Sequence, residues 1–154
     1  MSHCWDTSAF IHSWRRTSPP DIFVSLWDKL DAEIRASSIV CPDEVYRELE
    51  RRDDPLFRWV KDRKDALFVP LERTLQAHVA TIGGVFPYYT AGDSDDNAAD
   101  PWVVALAMER GLTVVTQETR QGSLDFPKIP RVCDRFGVRY VNTFDYMRAK
   151  GWTF

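Results

Sequence analysis

Cysteine is scarce. The three thiols among 154 residues, Cys4, Cys41 and Cys133, are far apart, odd in number and never in a CxxC arrangement. That argues against a disulfide framework and against a thiolate zinc site, and predicts buried free thiols. The three histidines, His3, His12 and His78, show no metal-ligand spacing. Long apolar runs are lacking as well. No stretch approaches the roughly 20 uncharged residues of a membrane-spanning helix, and residues 1–20 lack the basic-then-apolar order of a secretion signal. A soluble, cytoplasmic protein with no membrane contact is therefore expected. Nor is there a basic excess: 20 Lys and Arg against 23 Asp and Glu give a net charge of −3, which does not advertise nucleic-acid binding. What is plentiful is apolar material, 44% hydrophobic with 13% aromatic, enough for one ordinary domain over 1–154 with a proper core, and too much for a disordered chain.

Strand and helix patterns alternate along the chain. A short apolar run ends at Trp5. Ile22, Phe23, Leu26, Trp27, Leu30 and Ile34 recur at three- and four-residue spacing and predict a helix over 21–35, with Asp21 placed to cap it. Ser38-Ile39-Val40-Cys41 reads as a buried strand, and Pro42, Asp43 and Glu44 suit the start of a helix over 42–52. Further helices are predicted over 55–64 and over 71–82, the latter ended by Gly83-Gly84, and over 101–110, ended by Gly111. Residues 112–116 form a β-branched strand, 132–136 a short helix, 138–141 a strand, and Asn142 or Thr143 caps a last helix. This order implies an α/β layer fold with a mostly parallel sheet, whose ligand sites lie beyond the carboxyl ends of the strands.

Carboxylates fall at those ends. Asp6 follows the first strand, Glu118 comes two residues after the strand 112–116, and Asp100 opens the helix before it. Glu48, on the helix after the second strand, can join them. Carboxylates sharing a small volume repel unless protons or cations neutralise them, and oxygen ligands without Cys or His suit Mg²⁺ or Mn²⁺. A divalent metal so held can bind a phosphodiester oxygen and lower the pKa of a bound water, which is the chemistry of metal-assisted phosphodiester hydrolysis.

Four stretches in order carry a resemblance: Asp6-Thr7-Ser8, then Val45-Tyr46-Arg47-Glu48-Leu49, then Asp100-Pro101-Trp102-Val103-Val104-Ala105-Leu106-Ala107, then Thr113-Val114-Val115-Thr116-Gln117-Glu118. Together they resemble the ordered motifs of PIN-domain nucleases, including the separation of 18 between Asp100 and Glu118. The closing stretches, Lys128 to Cys133 and Asn142 to Met147, look like an uncharacterised prokaryotic branch of that family. The resemblance implies a three-layer α/β/α PIN-like fold, a Mg²⁺- or Mn²⁺-dependent endoribonuclease with Asp6, Glu48, Asp100 and Glu118 as catalytic metal ligands, and a toxin of a type II toxin-antitoxin pair with an antitoxin partner. Glu118 stands where aspartate or asparagine is more usual in the family.

Other residues are open to two readings. Thr7, Ser8 and Thr116 are either caps and strand residues or hydroxyls that support the ligands; Asp96, four before Asp100, is a turn residue or an auxiliary ligand. Asp6 itself can simply cap a helix. Glu48 has Glu44, Arg51 and Arg52 near it and can be an exposed ion-paired position. Arg15, Arg16, Arg47 and Arg51 either face solvent or line a groove for RNA phosphates. Removing the four acids from the count changes −3 to +1, so the acidity is partly that of the proposed site and does not exclude RNA. A DNA or flap nuclease, and a PIN scaffold that binds RNA or protein without cutting, remain as alternatives, and the apolar faces of 21–35 and 55–82 suit core, antitoxin or homodimer.

Overall fold

The computed structural model describes residues 2–91, 98–120 and 122–154. Five strands, β1 (His3–Trp5), β2 (Ile39–Pro42), β3 (Phe68–Val69), β4 (Thr113–Val115) and β5 (Tyr140–Val141), form one sheet in the order β3-β2-β1-β4-β5, and every pairing is parallel. Every residue of β1, β2 and β4 is buried. Central parallel strands are covered on both faces and so need apolar side chains on both, which Cys4-Trp5, Ile39-Val40-Cys41 and Val114-Val115 supply. Edge strand β5 is only partly buried.

The helices are α1 (Thr7–His12), which runs into a wider π-type turn at Ser13–Thr17, then α2 (Val24–Arg35), α3 (Asp43–Arg52), α4 (Pro55–Lys61), α5 (Lys64–Leu67), α6 (Arg73–Val85), α7 (Pro87–Thr90), α8 (Asp100–Arg110), α9 (Ile129–Phe136) and α10 (Thr143–Ala149). From β1 the chain travels outward through β2 to β3, then returns past β1 to β4 and β5. Right-handed crossovers put helices of opposite travel on opposite faces, so the sheet is sandwiched and the fold is α/β/α, as expected. Packing follows that division: α3 lies against α1 and α4, while α8 lies against α6 and α9. The travel reverses between β1 and β4, so the carboxyl ends of these two strands form the topological switch point.

The core on the α2 side is aromatic. Trp14, Trp27 and Trp59 meet with ring centroids 4.8, 5.0 and 6.3 Å apart, and the Trp27 indole N–H donates to the Ser18 carbonyl at 2.8 Å. The three cysteines are free and buried. Among the described residues no helix is long and apolar enough to cross a membrane.

Several boundaries differ from the sequence expectations. Helix α2 starts at Val24, not near Asp21, because Pro19 opens a turn whose carbonyl accepts from Ile22 and Phe23; no side chain caps the helix. The stretch 55–64 breaks after Lys61, and α5 and β3 follow where no strand is expected. Gly83-Gly84 do not end α6, which runs to Val85. A Cβ at Gly83 would sit 2.6 Å from the Thr90 hydroxyl, so this glycine permits the close return of α7 against α6.

Candidate functional site

The register of the sheet builds the site. Trp5 pairs with Val115 as the last residue of each strand, which brings Asp6 and Thr116 side by side at the switch point. The Asp6 amide donates to the Val115 carbonyl at 3.0 Å, and the Thr116 amide donates to Val141 at 3.0 Å. Asp6 is a helix cap, one of the readings the sequence left open, and it also stands in a group of acids. Its Oδ1 caps α1 by accepting from the Ala9 amide at 2.8 Å and also accepts from the Ser8 hydroxyl at 2.7 Å; its Oδ2 accepts from the Thr116 hydroxyl at 2.7 Å. The side chain is thereby fixed at both oxygens.

Asp100 is the first residue of α8, whose packing against β1, β2 and β4 delivers it to the same edge. Glu118 follows β4; its Oε2 accepts from the Ile129 amide at the start of α9 at 2.8 Å, and its own amide donates to Thr116 Oγ1 at 3.1 Å. Asp6, Asp100 and Glu118 each offer a carboxylate oxygen, and these oxygens lie within 4.8 Å of one another. Two unit charges at that separation repel by on the order of 3 kcal/mol at an effective dielectric of about 20. With Asp6 only 1% and Asp100 7% exposed, three bare charges are not sustainable here.

The titration behaviour follows. Burial, opposed by the hydrogen bonds from Thr116 and Ser8 and helped by the Glu118 charge, pushes Asp6 up to about 7. Asp100 is held well above the usual carboxylate range by burial first, then by Glu118, Asp6 and Glu48. Glu48 stands beside the cluster on α3, not inside the close triad. Its Oε1 accepts from the Ala99 amide at 2.8 Å, just ahead of Asp100, and its pKa is raised by burial. The buried Thr7 hydroxyl makes no hydrogen bond of ordinary geometry among the described residues, although it lies near enough to Glu48 to favour the charged form.

The other sequence candidates are distributed as follows. Ser8 and Thr116 touch Asp6 directly, and Ser8 also accepts from the Gln117 amide at 3.2 Å. Asp96 lies outside the described residues. Arg15 pairs with Asp54 at 3.0 Å, and Arg47 with Glu44 at 3.4 Å and Asp43 at 3.6 Å, so both already have anionic partners in the chain. Arg16 is exposed, and Arg51 is close enough to Glu48 to lower its pKa. Two neighbours of the cluster escape the sequence patterns. Lys128, the residue before α9, bears on Asp100 as a positive charge. The Tyr89 hydroxyl on α7 is shielded from solvent without a hydrogen-bond partner among the described residues, and its pKa is raised well above normal by burial and by Asp100 and Glu118. The signal for Lys128 is its position two residues before Pro130, a helix start; for Tyr89 no spacing rule points inward.

A sequence family described as Domain of unknown function (DUF4411) matches residues 3–154. The chain belongs to this family. No curated protein matches the DUF4411 chain in sequence. Solved structures are similar in fold: one, titled "Structure of FitAB bound to IR36 DNA fragment", has 17% identity and a TM-score of 0.50 over 91% of this chain and 94% of that one. At that identity the likeness is one of fold. The fold is PIN-like, with its five-stranded parallel sheet in the order 3-2-1-4-5, and the acidic cluster at its switch point can hold a metal ion.

Proposed function

We propose that residues 1–154 form one PIN-like domain that hydrolyses RNA phosphodiester bonds in a Mg²⁺- or Mn²⁺-dependent manner, as the toxin of a type II toxin-antitoxin pair. The observation that carries the reading is the convergence of the buried Asp6 and Asp100 with the half-buried Glu118, their carboxylate oxygens within 4.8 Å of one another. The donor set fits the metal: hard carboxylate oxygens, with no thiolate or imidazole in the group. A divalent cation bound there supplies positive charge to a phosphate oxygen and acidifies water.

The chain's own residues do the rest. Ser8 and Thr116 hold the Asp6 carboxylate in one orientation, so its two oxygens meet a ligand without reorganising. Glu48, tied to the Ala99 amide, steadies the start of α8 and adds negative charge at the rim. Because Asp6 titrates near neutrality, cation binding displaces a proton from it and is favoured as pH rises. Arg16 and Arg51 supply cations for RNA phosphates, and Arg15 and Arg47 do so on releasing their acid partners. The exposed Ile22, Val24, Phe144 and Phe154, beside a groove of about 310 Å³ between α2 and α10, give an antitoxin or a second copy an apolar surface.

Purified protein is expected to cleave labelled RNA with Mn²⁺ and not with EDTA. Cleavage that persists in EDTA, or in both Asp6→Asn and Asp100→Asn, overturns the reading. A DNA or flap nuclease is the alternative reading, and competition between labelled RNA and DNA separates the two.

A further inference from the structure

A cleft of about 510 Å³ opens beside the acidic cluster at the carboxyl ends of β4 and β5, within the range of about 300–1,000 Å³ typical of small-ligand sites. It is continuous with the cluster, because Thr116 and Glu118 line both. Its lining also includes Arg120, Tyr140, Asn142 and Asp145, the last paired with Arg148 at 2.8 Å. The Arg120 guanidinium is held in place: Nε donates to the Tyr140 hydroxyl at 2.7 Å and lies 2.8 Å from Asp134 Oδ2, while the group sits 5.8 Å from the Tyr140 ring centroid. Nη2 also donates to Asp134 Oδ1 at 3.4 Å, so Arg120 is ion-paired, yet its side chain is 70% exposed and Nη1 is left for a phosphate oxygen. A flat ring and a fixed cation at the mouth of one cleft are the two elements by which proteins hold single-stranded nucleic acid, the ring by stacking and the cation by pairing with phosphate. A duplex cannot use such a cleft, because its bases stay stacked inside the helix; an unpaired nucleotide can be splayed out into it.

We infer that this cleft is a nucleotide subsite, taking one unpaired base of single-stranded RNA against Tyr140 with the adjoining phosphate on Arg120, so that the next phosphodiester reaches Asp6, Asp100 and Glu118. The inference rests on the nuclease reading for the identity of its ligand. On the opposite side of the cluster Arg51 lies beside Glu48, so a strand leaving the cleft across the carboxylates meets a second cation there.

The test is binding of a fluorescein-labelled 12-nucleotide RNA to Asp100→Asn protein, followed by anisotropy. Adding Tyr140→Ala or Tyr140→Leu is expected to weaken binding about tenfold, within the range set by loss of one stacked base. Tyr140→Phe, which keeps the ring, is expected to lose threefold or less, and Arg120→Ala threefold to tenfold. Tyr140→Leu keeps apolar bulk on β5, and thermal melting of each variant checks that it folds. The decisive comparison scans one abasic nucleotide along the RNA. At one position the abasic RNA binds tenfold more weakly to the Tyr140 protein, and Tyr140→Leu then causes no further loss. Equal losses from Tyr140→Leu on intact RNA and on every abasic RNA overturn the subsite, as does unchanged affinity or equal affinity for single-stranded and fully duplex RNA. The two readings fail separately. RNA cleavage by the Tyr140 protein with unchanged Tyr140→Leu affinity removes the subsite alone, while the stacking pattern without any Mn²⁺-dependent cleavage removes the nuclease reading alone.

Discussion

Asp31 and Asp6 are the same residue type in opposite circumstances. Asp31, on α2 beside the tryptophan cluster, sits 2.9 Å from Arg35 and 2.6 Å from Arg63, and its pKa is lowered, first by the Arg35 hydrogen bond. Arg63 is itself fixed by donating to the Trp59 carbonyl at 2.8 Å and lying 3.9 Å over the Trp59 ring. Asp6, at the switch point, has hydroxyls and an amide for hydrogen bonds but acids for charged neighbours, and its pKa is raised to about 7. A carboxylate whose cation lies in the same chain is electrostatically complete. One whose neighbours are carboxylates has a deficit that a proton fills at low pH and that only an external cation fills at high pH.

That contrast is tested most severely by charge removal. Asp100→Asn and Asp6→Asn are expected to lower Mn²⁺-dependent RNA cleavage by about 10³-fold or more while raising the melting temperature of metal-free protein, because repulsion is relieved. Lower Tm in both variants breaks the comparison. Next in size is the pH dependence. The folded chain keeps a proton on Asp6 that an unfolded chain releases near the ordinary value of 3.8, so metal-free stability falls as pH rises from about 4 to about 7. The span corresponds to about 4 kcal/mol from this group, and Asp100 acts in the same direction. In EDTA, Tm is therefore expected to drop across this window in wild type and to flatten in Asp6→Asn, and Mn²⁺ is expected to raise wild-type Tm more at pH 8 than at pH 5.

Glu48→Gln keeps an oxygen for the Ala99 amide and removes only charge, so cleavage is expected to fall about tenfold with Tm unchanged or slightly higher. The smallest effect belongs to the paired region. Asp31→Ala breaks two ion pairs of partly exposed groups and is expected to cost about 1 kcal/mol of stability, read by urea denaturation, with RNA cleavage at the wild-type rate. Loss of activity there would mean the two regions are not separate.

Much of this was legible in the residues. Runs such as Thr113-Val114-Val115 declare central strands because covered strands need apolar side chains on both faces, and the acids that follow such runs fall at the carboxyl edge. The pairing of Asp6 with Thr116 is less accessible, since it depends on the one-residue register between β1 and β4. Two-residue β3 carries too little pattern to be seen, and Gly83 reads as a helix end because its actual role, admitting Thr90, is a tertiary contact. Lys128 and Tyr89 come to the site from elements whose placement is set by packing, which local spacing does not encode.

The extra methylene of Glu118 acquires a purpose in this geometry. One oxygen reaches the Ile129 amide while the carboxylate still leans into the acidic triad, so the side chain spans a gap between helix α9 and the cluster. An aspartate, shorter by about 1.5 Å, would have to abandon one end or draw α9 inward. Glu118 is thus a strut as well as a charge, and its length gauges how far α9 stands from the site. A family member with aspartate at this position is expected to have α9 displaced toward β4, or its first amide satisfied by another acceptor.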